Sequence, residues 1–365
     1  MGLADAEEAA VLALNSGSSS LKARIRLGPD APPALSVHAE RLGEDGLLHA
    51  SGRPDRPLRG GLPEAIEAVA SLLGEAGIEP RAVAHRVVHG GPDHHRPTVV
   101  DEALLADLRA ATPLAPLHQP IALRAIEIGR ARWPAAAHIA CFDTGFFADL
   151  PPRARRLPVA AELAARGVRR YGFHGLSVQS ALLSRPGLGD AVIAHLGSGC
   201  SVSAVGADGR PRWTTMSLTP TGGMMSAGRS GDLDPQIVLM LIERHGYDPA
   251  RLSELLDRRS GLAGIADGRR DVRDLRAAAD RGDADAALAL AMFADAAAMA
   301  IAAAATTLDR WSALVFTGGV GEHDAETRER ICARLRLDGV EVLISPADEE
   351  RVMDRQARLL LAEAS

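Results

Sequence analysis

The sequence predicts two α/β lobes with a cleft between them, and three observations carry that prediction. The chain has 365 residues, 47% of them hydrophobic and 24% charged, which is more than one core comfortably organises. A strand runs into a glycine- and serine-rich hairpin near the N-terminus, and a second copy of that pattern lies half a chain later. A third glycine cluster follows a strand and precedes a helical stretch.

Each element can be justified in turn. The apolar run Val11 to Leu14 enters Asn15-Ser16-Gly17-Ser18-Ser19-Ser20 and leaves through an alternating run to Ile25, the pattern of a β-hairpin with a small-residue tip. Pro29 to Pro33 and Gly52 to Gly61 read as loops. Helical periodicity marks Leu62 to Gly74, Ala103 to Ala110 and Pro120 to Arg130. The run Ile139 to Phe142 puts Asp143 at the carboxyl end of a strand, where α/β proteins place reactive groups, with a helix cap as the alternative. Ala191 to Ala194 then lead through His195-Leu196-Gly197-Ser198-Gly199-Cys200-Ser201 to Val202 to Val205. Gly17 aligns with Gly197 and Ser18 with Ser198, an offset of 180 residues that indicates a duplicated lobe. Pro235 to His245 reads as a helix, and Ala286 to Leu308, mostly alanine with Asp295 inside it, fits a packed interior helix better than a membrane span. The strand Leu314 to Phe316 ends in Thr317-Gly318-Gly319-Val320-Gly321-Glu322, read as a tight loop before a helix at Ala325 to Leu335.

Composition narrows the function. The net charge is -6 and the basic residues are scattered among acids, so no basic stripe offers itself to nucleic acid. Cys141, Cys200 and Cys332 stand in no metal-ligand spacing, and Met1 to Ala10 are acidic without an export pattern, so the expectation is a cytoplasmic protein without membrane or structural zinc. Of 41 basic residues only Lys22 is lysine, and Asn15 is the only asparagine; both fall in the first hairpin.

A hairpin tip of Gly and Ser can turn successive N–H and hydroxyl donors toward a phosphate, with Lys22 as a compact charge, although an ordinary tight turn has the same composition. The third glycine cluster, read as strand, loop and helix N-terminus, suits phosphate or ribose groups.

More specific is the ordered series Asn15 to Lys22, His85-Arg86-Val87-Val88-His89-Gly90-Gly91, Pro116-Leu117-His118, Phe142-Asp143-Thr144, Arg169-Arg170-Tyr171-Gly172-Phe173-His174-Gly175 and Arg229-Ser230-Gly231-Asp232-Leu233-Asp234-Pro235. Together these resemble the acetate kinase family, in that family's order, from residue 11 to about residue 355. The resemblance implies an α/β fold of two duplicated ribonuclease-H-like lobes, of the acetate and sugar kinase, chaperone ATPase and actin type, with an ATP cleft between them. The lobes would be 1–144 with 351–365, and 145–350. The activity implied is reversible phosphoryl transfer between ATP and acetate, giving acetyl phosphate and ADP, with Mg²⁺ or Mn²⁺. Propionate is a possible second or preferred acid, and the partners are the small carboxylic acid, ATP and a second copy of the chain in a homodimer. An ATP-regulated binding protein of the chaperone or actin type, and a family member that has lost catalysis, are the competing readings.

The family's site carries over residue by residue. Arg86 would hold the acid's carboxylate, a surface ion pair being its alternative, and Val88, Leu117, Phe173 and Pro220 would enclose its alkyl group. His174 and Arg229 match the pair that stabilises the phosphoryl group in flight, and Asp143 would orient the acceptor or the metal's water. Asn15 and Glu349 match the magnesium-associated positions, although Asp348-Glu349-Glu350 could equally be a solvated acidic helix start. Nucleotide would be held by Lys22, by His195, Leu196, Gly197, Ser198 and Gly199, by Asp271, Val272 and Arg273, and by Gly319, Val320, Gly321, Glu322 and His323. The chain departs from the family's pattern at Gln119, Ser198 and His323, where asparagine is usual, at Phe147 and Val178, where histidine is common, and at Gly228, which replaces threonine.

Overall fold

The computed structural model of the chain describes residues 9–363; apart from Ala9 and Ala10, the acidic N-terminal stretch lies outside the described residues. The chain forms two compact units. One takes the described residues up to Ala148 and from Asp348 on, and the other is Asp149–Ala347.

In the first unit β1 (Val11–Ser16) is buried along all six residues, as a strand in the middle of a sheet should be. The chain turns at Gly17, whose N–H donates to the Ser20 carbonyl at 2.8 Å, and β2 (Ser20–Arg26) returns antiparallel. Strand alternation buries Leu21, Ala23 and Ile25 and puts Lys22, Arg24 and Arg26 on the opposite face. The antiparallel run continues through β3 (Leu35–Glu40), β4 (Gly46–Ala50) and β5 (Arg56–Leu58). The last corrects the reading of Gly52 to Gly61 as loop: a three-residue edge strand containing Pro57 is too short to show alternation. On the other side of β1 the sheet adds β6 (Ala82–Val87), then β7 (Thr98–Val99) outermost, with β8 (Ala137–Phe142) between them.

Helices α1 (Leu62–Glu75), α2 (Glu102–Ala110) and α3 (Gln119–Arg132) make the crossovers. The start of α1 is set by the Glu64 carboxylate accepting the Gly61 N–H at 2.7 Å, and its apolar stripe Ala65, Ile66, Val69 and Leu73 enters the core. Asp101 caps α2 by accepting from the Leu104 N–H. The C-terminal helix, Glu349–Glu363, packs against β1 and β6.

The second unit opens with three helices, α4 (Pro152–Arg155), α5 (Ala161–Ala165) and α6 (Gly175–Ser184). The second hairpin follows as β9 (Asp190–Leu196) and β10 (Cys200–Val205), with β11 (Pro211–Thr214) antiparallel beside it. Then come α7 (Pro235–His245), α8 (Pro249–Arg258), α9 (Gly261–Ile265), α10 (Val272–Asp280) and α11 (Ala284–Ala305). β12 (Trp311–Thr317) lies parallel to β9, and after α12 (Gly318–His323) and α13 (Ala325–Cys332) comes β13 (Glu341–Ile344), parallel to β12.

The duplication read from two hairpins extends to whole sheets. The order β3-β2-β1-β6-β8 in one unit recurs as β11-β10-β9-β12-β13 in the other, each with three antiparallel strands followed by two parallel ones.

Two further expectations need adjustment. The third glycine cluster is not a loop but a short helix, α12, running from Gly318; glycine is required at that position because it adopts φ 78° and a β-carbon there would stand 2.7 Å from the Leu196 carbonyl oxygen. A new helix, α13, then starts on Asp324 and ends at Cys332, short of Leu335. Helix α11 is long and apolar enough to cross a membrane by length and composition, yet Ala286, Leu290, Phe293, Ala297 and Ile301 pack into the core of the unit. It is interior along that face only, since Leu288, Met292 and Met299 are exposed.

Candidate active site

In the first unit the carboxyl ends of β1, β6 and β8 lie side by side, because Leu14 pairs with His85 and Arg86 with Cys141. That register delivers Asn15, Arg86 and Asp143 to one place. Arg86 donates from Nε to Oδ2 of Asp143 at 2.9 Å and from Nη2 to the same oxygen, while Nη1 reaches the Asn15 side-chain oxygen at 3.3 Å. Asp143 is fully buried and Arg86 nearly so, which replaces both the surface ion pair and the helix cap. Burial works against the Arg86 charge, but Asp143 and Glu349 outweigh it and hold the guanidinium above its ordinary pKa. One edge of its fork is therefore committed to Asp143.

The Asn15 amide donates to Glu349 at 2.7 Å and to Glu350 at 2.8 Å. Glu350 is 2% exposed, and burial, then the neighbouring Glu349, pushes its carboxyl pKa up. Asp348 is bound by Arg24 at 2.6 Å and Arg26 at 3.0 Å. The acidic triplet does open the C-terminal helix, with Asp348 accepting the Arg351 N–H at 3.0 Å, but it is paired and Glu350 is buried, so it is not a solvated start, and Glu350 is a member that sequence reasoning missed. The available signal was the basic face of β2, whose arginines require acidic partners. Among the described residues no three His, Cys, Asp or Glu side chains gather closely enough to hold a metal ion. Two crowded carboxylates across an amide do suit a cation such as Mg²⁺ that keeps most of its waters and completes its shell with phosphate oxygens.

Lys22 is exposed on β2, opposite Asn15 in the register. Val88 directly follows β6 and is buried, and Leu117, just before α3, is half-buried. Gln119 donates its amide to the carbonyls of His89 at 2.9 Å and Leu108 at 3.3 Å, so it ties loop to helix. Phe147 is buried edge-on against Phe146.

In the second unit three segments meet at the tip of the β9–β10 hairpin. His174, in the left-handed conformation at φ 59°, stands just before α6. Its Nδ1 lies 2.9 Å from the Ser201 hydroxyl and its ring stacks on His195 at 4.2 Å, while His195 Nδ1 lies 2.8 Å from the Ser177 hydroxyl. Gly199 makes this packing possible: a β-carbon there would stand 2.8 Å from Arg229 Nη1 and 3.4 Å from His174 Nε2. Arg229 Nη1 also donates to the Pro220 carbonyl at 3.4 Å. Its loop is laced to α8 and α9, with Ser260 N–H donating to Gly228 at 2.9 Å and Leu262 N–H to Ser226 at 3.0 Å. A β-carbon at Gly228 would come within 2.9 Å of the Arg258 carbonyl, which explains why glycine replaces threonine here. Phe173, Pro220 and Val178 are buried.

A cavity of about 950 Å³ opens in the same unit. It brings together Gly197 and Ser198, Asp271, Val272 and Arg273, and Gly319, Val320 and His323, three segments far apart in the chain. Leu262 and Ala227 add apolar wall, and Arg270 and Arg276, which sequence reasoning missed, also line it, Arg276 being paired there to Asp324 and Glu326. Asp271 caps α10 and is gripped by Arg273 at 2.6 Å, which lowers its pKa. His195, Leu196, Gly199, Gly321 and Glu322 do not line the cavity. The Glu322 carboxylate instead accepts the N–H groups of Gly318 and Ala347, each at 3.0 Å, and so anchors the start of α12.

Comparison with known proteins finds the same relatives along nearly the whole chain. The model of the acetokinase family matches residues 10–358. An acetate kinase of Deinococcus deserti is 38% identical over 392 residues, covering 96% of this chain and 98% of the relative. One of Sulfurovum sp. is 35% identical over 398 residues, covering 97% of this chain and 100% of the relative. Among solved structures, a propionate kinase from Francisella tularensis superimposes with a TM-score of 0.85 at 28% identity, covering 95% of this chain and 98% of that one. That likeness bears out the fold class, with a mixed sheet of the same kind in each unit.

Proposed function

The chain belongs to the acetokinase family, kinases that phosphorylate a carboxylate, and we propose that its own reaction is reversible, Mg²⁺-dependent phosphoryl transfer between ATP and acetate. The observation that carries this reading is the β9–β10 tip: Gly197 and Ser198 line the cavity while Gly199 lies under Arg229 and His174. A nucleotide seated in the cavity would direct its terminal phosphate toward two positive or hydrogen-bonding groups already packed together.

The chemistry needs little more. An oxygen of the acetate carboxylate attacks the γ-phosphorus, the bond to the β,γ-bridging oxygen breaks, and ADP departs with the electron pair; no proton has to move, because the acceptor is already an anion. Arg229 and the Nε2 of His174 are assigned to the charge on the phosphoryl oxygens in flight, with Ser201 fixing the His174 ring from its other nitrogen. Arg86, held in its charged form and orientation by Asp143, is assigned to the acetate carboxylate through the edge that Asp143 leaves available. Val88, Leu117, Phe173 and Pro220 are assigned to its methyl group. Mg²⁺ or Mn²⁺, when bound, supplies neutralising charge at the β- and γ-phosphates, and Asn15, Glu349 and Glu350 are the residues to hold it through its waters. Lys22 is assigned to the nucleotide's phosphates as a point charge.

The reading includes a cytoplasmic homodimer joined through the second unit. Helix α7 has no buried residue although Ile237, Leu239, Met240 and Ile242 are 38–45% exposed apolar side chains. A second copy of the chain is the occupant that would bury them. Incubation with ATP, Mg²⁺, acetate and hydroxylamine should yield acetohydroxamate, and chelator should abolish it. Failure to exceed the acetate-free control would reject the activity, and full turnover in excess chelator would reject the metal.

A further inference from the structure

The end of α8 and the turn after it carry the loop that presents Arg229. Ser230 N–H donates to the Leu256 carbonyl at 3.0 Å and Ser260 N–H to the Gly228 carbonyl at 2.9 Å. Gly261, at φ 59°, runs so near that a β-carbon there would stand 2.1 Å from the Ser226 carbonyl oxygen and 2.5 Å from that of Arg229. The loop also closes on itself, with Asp232 N–H donating to the Gly223 carbonyl at 2.7 Å and Gly223 N–H to the Asp232 carboxylate at 2.8 Å. These contacts fix the backbone of residues 223–232.

The Arg229 guanidinium reaches a residue outside that closed stretch, since its Nη1 donates to the carbonyl of Pro220 at 3.4 Å. What holds this neighbouring segment is Asp257, in the last turn of α8. One of its carboxylate oxygens accepts the Thr221 hydroxyl, and the other accepts the Ser253 hydroxyl at 3.0 Å. Ser253 lies one helical turn earlier on the same face, so it sets the direction of the carboxylate from within the helix. A hydroxyl donating to a carboxylate makes a charge-assisted bond, about twice as strong as a neutral one.

We infer that Asp257 is a positioning residue for the transfer step: through Thr221 it holds the Pro220 carbonyl where that carbonyl orients the Arg229 guanidinium. The same end of α8 then sets both parts of Arg229, its backbone through Leu256 and its guanidinium through Asp257. The inference rests on the proposed phosphoryl transfer and on the place of Arg229 in it. A group misplaced by about 1 Å can cost on the order of 100-fold in rate, and releasing Pro220 while the backbone anchors stay should cost part of that.

The test compares Asp257→Ala, Asp257→Asn and Thr221→Val with the wild type in the hydroxamate assay, beside thermal melts, and repeats Asp257→Ala on an Arg229→Ala background. Asp257→Ala and Thr221→Val should each lower turnover by roughly 10-fold while the ATP Michaelis constant changes by less than about twofold. The Thr221→Val/Asp257→Ala double variant should be no slower than the slower single one, because both remove one contact. Asp257→Asn should stay within about threefold of the wild type, since its amide oxygen still accepts the Thr221 hydroxyl and the Ser253 hydroxyl can turn to accept from its nitrogen. If Asp257→Ala does not fold, Thr221→Val carries the test, alone and on the Arg229→Ala background. Once Arg229 is alanine, either substitution should lower turnover by less than about twofold, whereas a purely structural role would cost the same factor on both backgrounds. Wild-type turnover in folded Thr221→Val, additive losses in the double variant, or equal factors on the two backgrounds would overturn the inference. A wild type that forms no acetohydroxamate would sink the proposed reaction and this inference with it, an outcome distinct from an active wild type whose variants are unaffected.

Discussion

Arg229 lies directly over Gly199, so close that a β-carbon on the glycine would stand 2.8 Å from Nη1. The same bare Cα admits the Nε2 of His174, and the Arg229 loop is pinned from behind by hydrogen bonds to Gly228 and Ser226. Because Nη1 is the far end of a flexible side chain, the Arg229 guanidinium and not the loop backbone is what would give way to a larger side chain.

Gly199→Ala should therefore push Arg229 and His174 apart at little cost to the fold. The turnover number should fall by roughly 10- to 100-fold, because a misplaced donor loses most of its worth in the transition state. The acetate Michaelis constant should change by less than about threefold, and Arg229→Ala should lower turnover by roughly 100-fold or more. Steady-state kinetics beside thermal melts check this. A folded Gly199→Ala protein with wild-type turnover would remove the contact from the chemistry.

The pairing of Arg86 with buried Asp143 predicts a different signature. Arg86→Ala should raise the Michaelis constant for the acid and also destabilise the protein by about 3–5 kcal/mol, since it leaves a buried carboxylate without its counter-charge. Adding Asp143→Asn should restore part of that stability without restoring acid affinity. Urea denaturation of the single and double variants reads the first effect and kinetics the second. Additive stability losses would show that the two side chains do not depend on each other.

How much of this was legible follows from what one sequence can encode. The two hairpins, the strand ahead of Asp143 and the helix at Pro235–His245 leave local patterns, and the structure has them. The sheet order that repeats between the units depends on pairings such as Leu14 with His85, which no local pattern states. Glu350 looked like part of a solvated acidic run because its burial is caused by β1 and β2 from the far end of the chain. Gly318 was misread as a loop because glycine there answers a close approach to Leu196, not a turn. Arg270 and Arg276 reach the cavity through the placement of α10, and only the assembled unit shows it.

Behind Arg86, His85 and His138 form a buried pair with consequences for acid stability. His138 Nε2 donates to the Trp133 carbonyl at 3.1 Å, so its Nδ1 accepts from His85 Nε2 at 2.9 Å, and both rings are neutral. Burial, and for His85 also the nearby His138, lowers both pKa values below the ordinary 6.5. Above that value both states are neutral and the pair's contribution is fully present. As pH falls below it, the unfolded chain takes up protons that the folded one refuses, and stability is lost at up to about 1.4 kcal/mol per pH unit for each histidine. A His85→Leu/His138→Leu variant should show a flatter decline between pH 7 and pH 5 in urea denaturation. An identical slope would mean that carboxylates alone govern the acid limb.

The last prediction is the acid's chain length. Val88 follows the strand that carries Arg86 and is 5% exposed, Phe173 is 1% exposed, and Leu117 and Pro220 complete a set of four apolar side chains assigned to the alkyl end. On the proposed assignment the carboxylate lies at Arg86 and each added methylene meets Val88 and Leu117 of the same unit, and an apolar pocket discriminates one methylene by only about 1–3 kcal/mol. Acetate should thus have the highest specificity constant, propionate should be tolerated, and butyrate and formate should be poor substrates. Val88→Ala removes two methyl groups beside the alkyl end, so it should raise the propionate-to-acetate ratio of specificity constants by roughly 10-fold with little change in the ATP Michaelis constant. Turnover and Michaelis constants for the four acids at saturating ATP decide it. If the wild type prefers butyrate, or if Val88→Ala leaves the ranking as it was, these residues do not line the acceptor pocket.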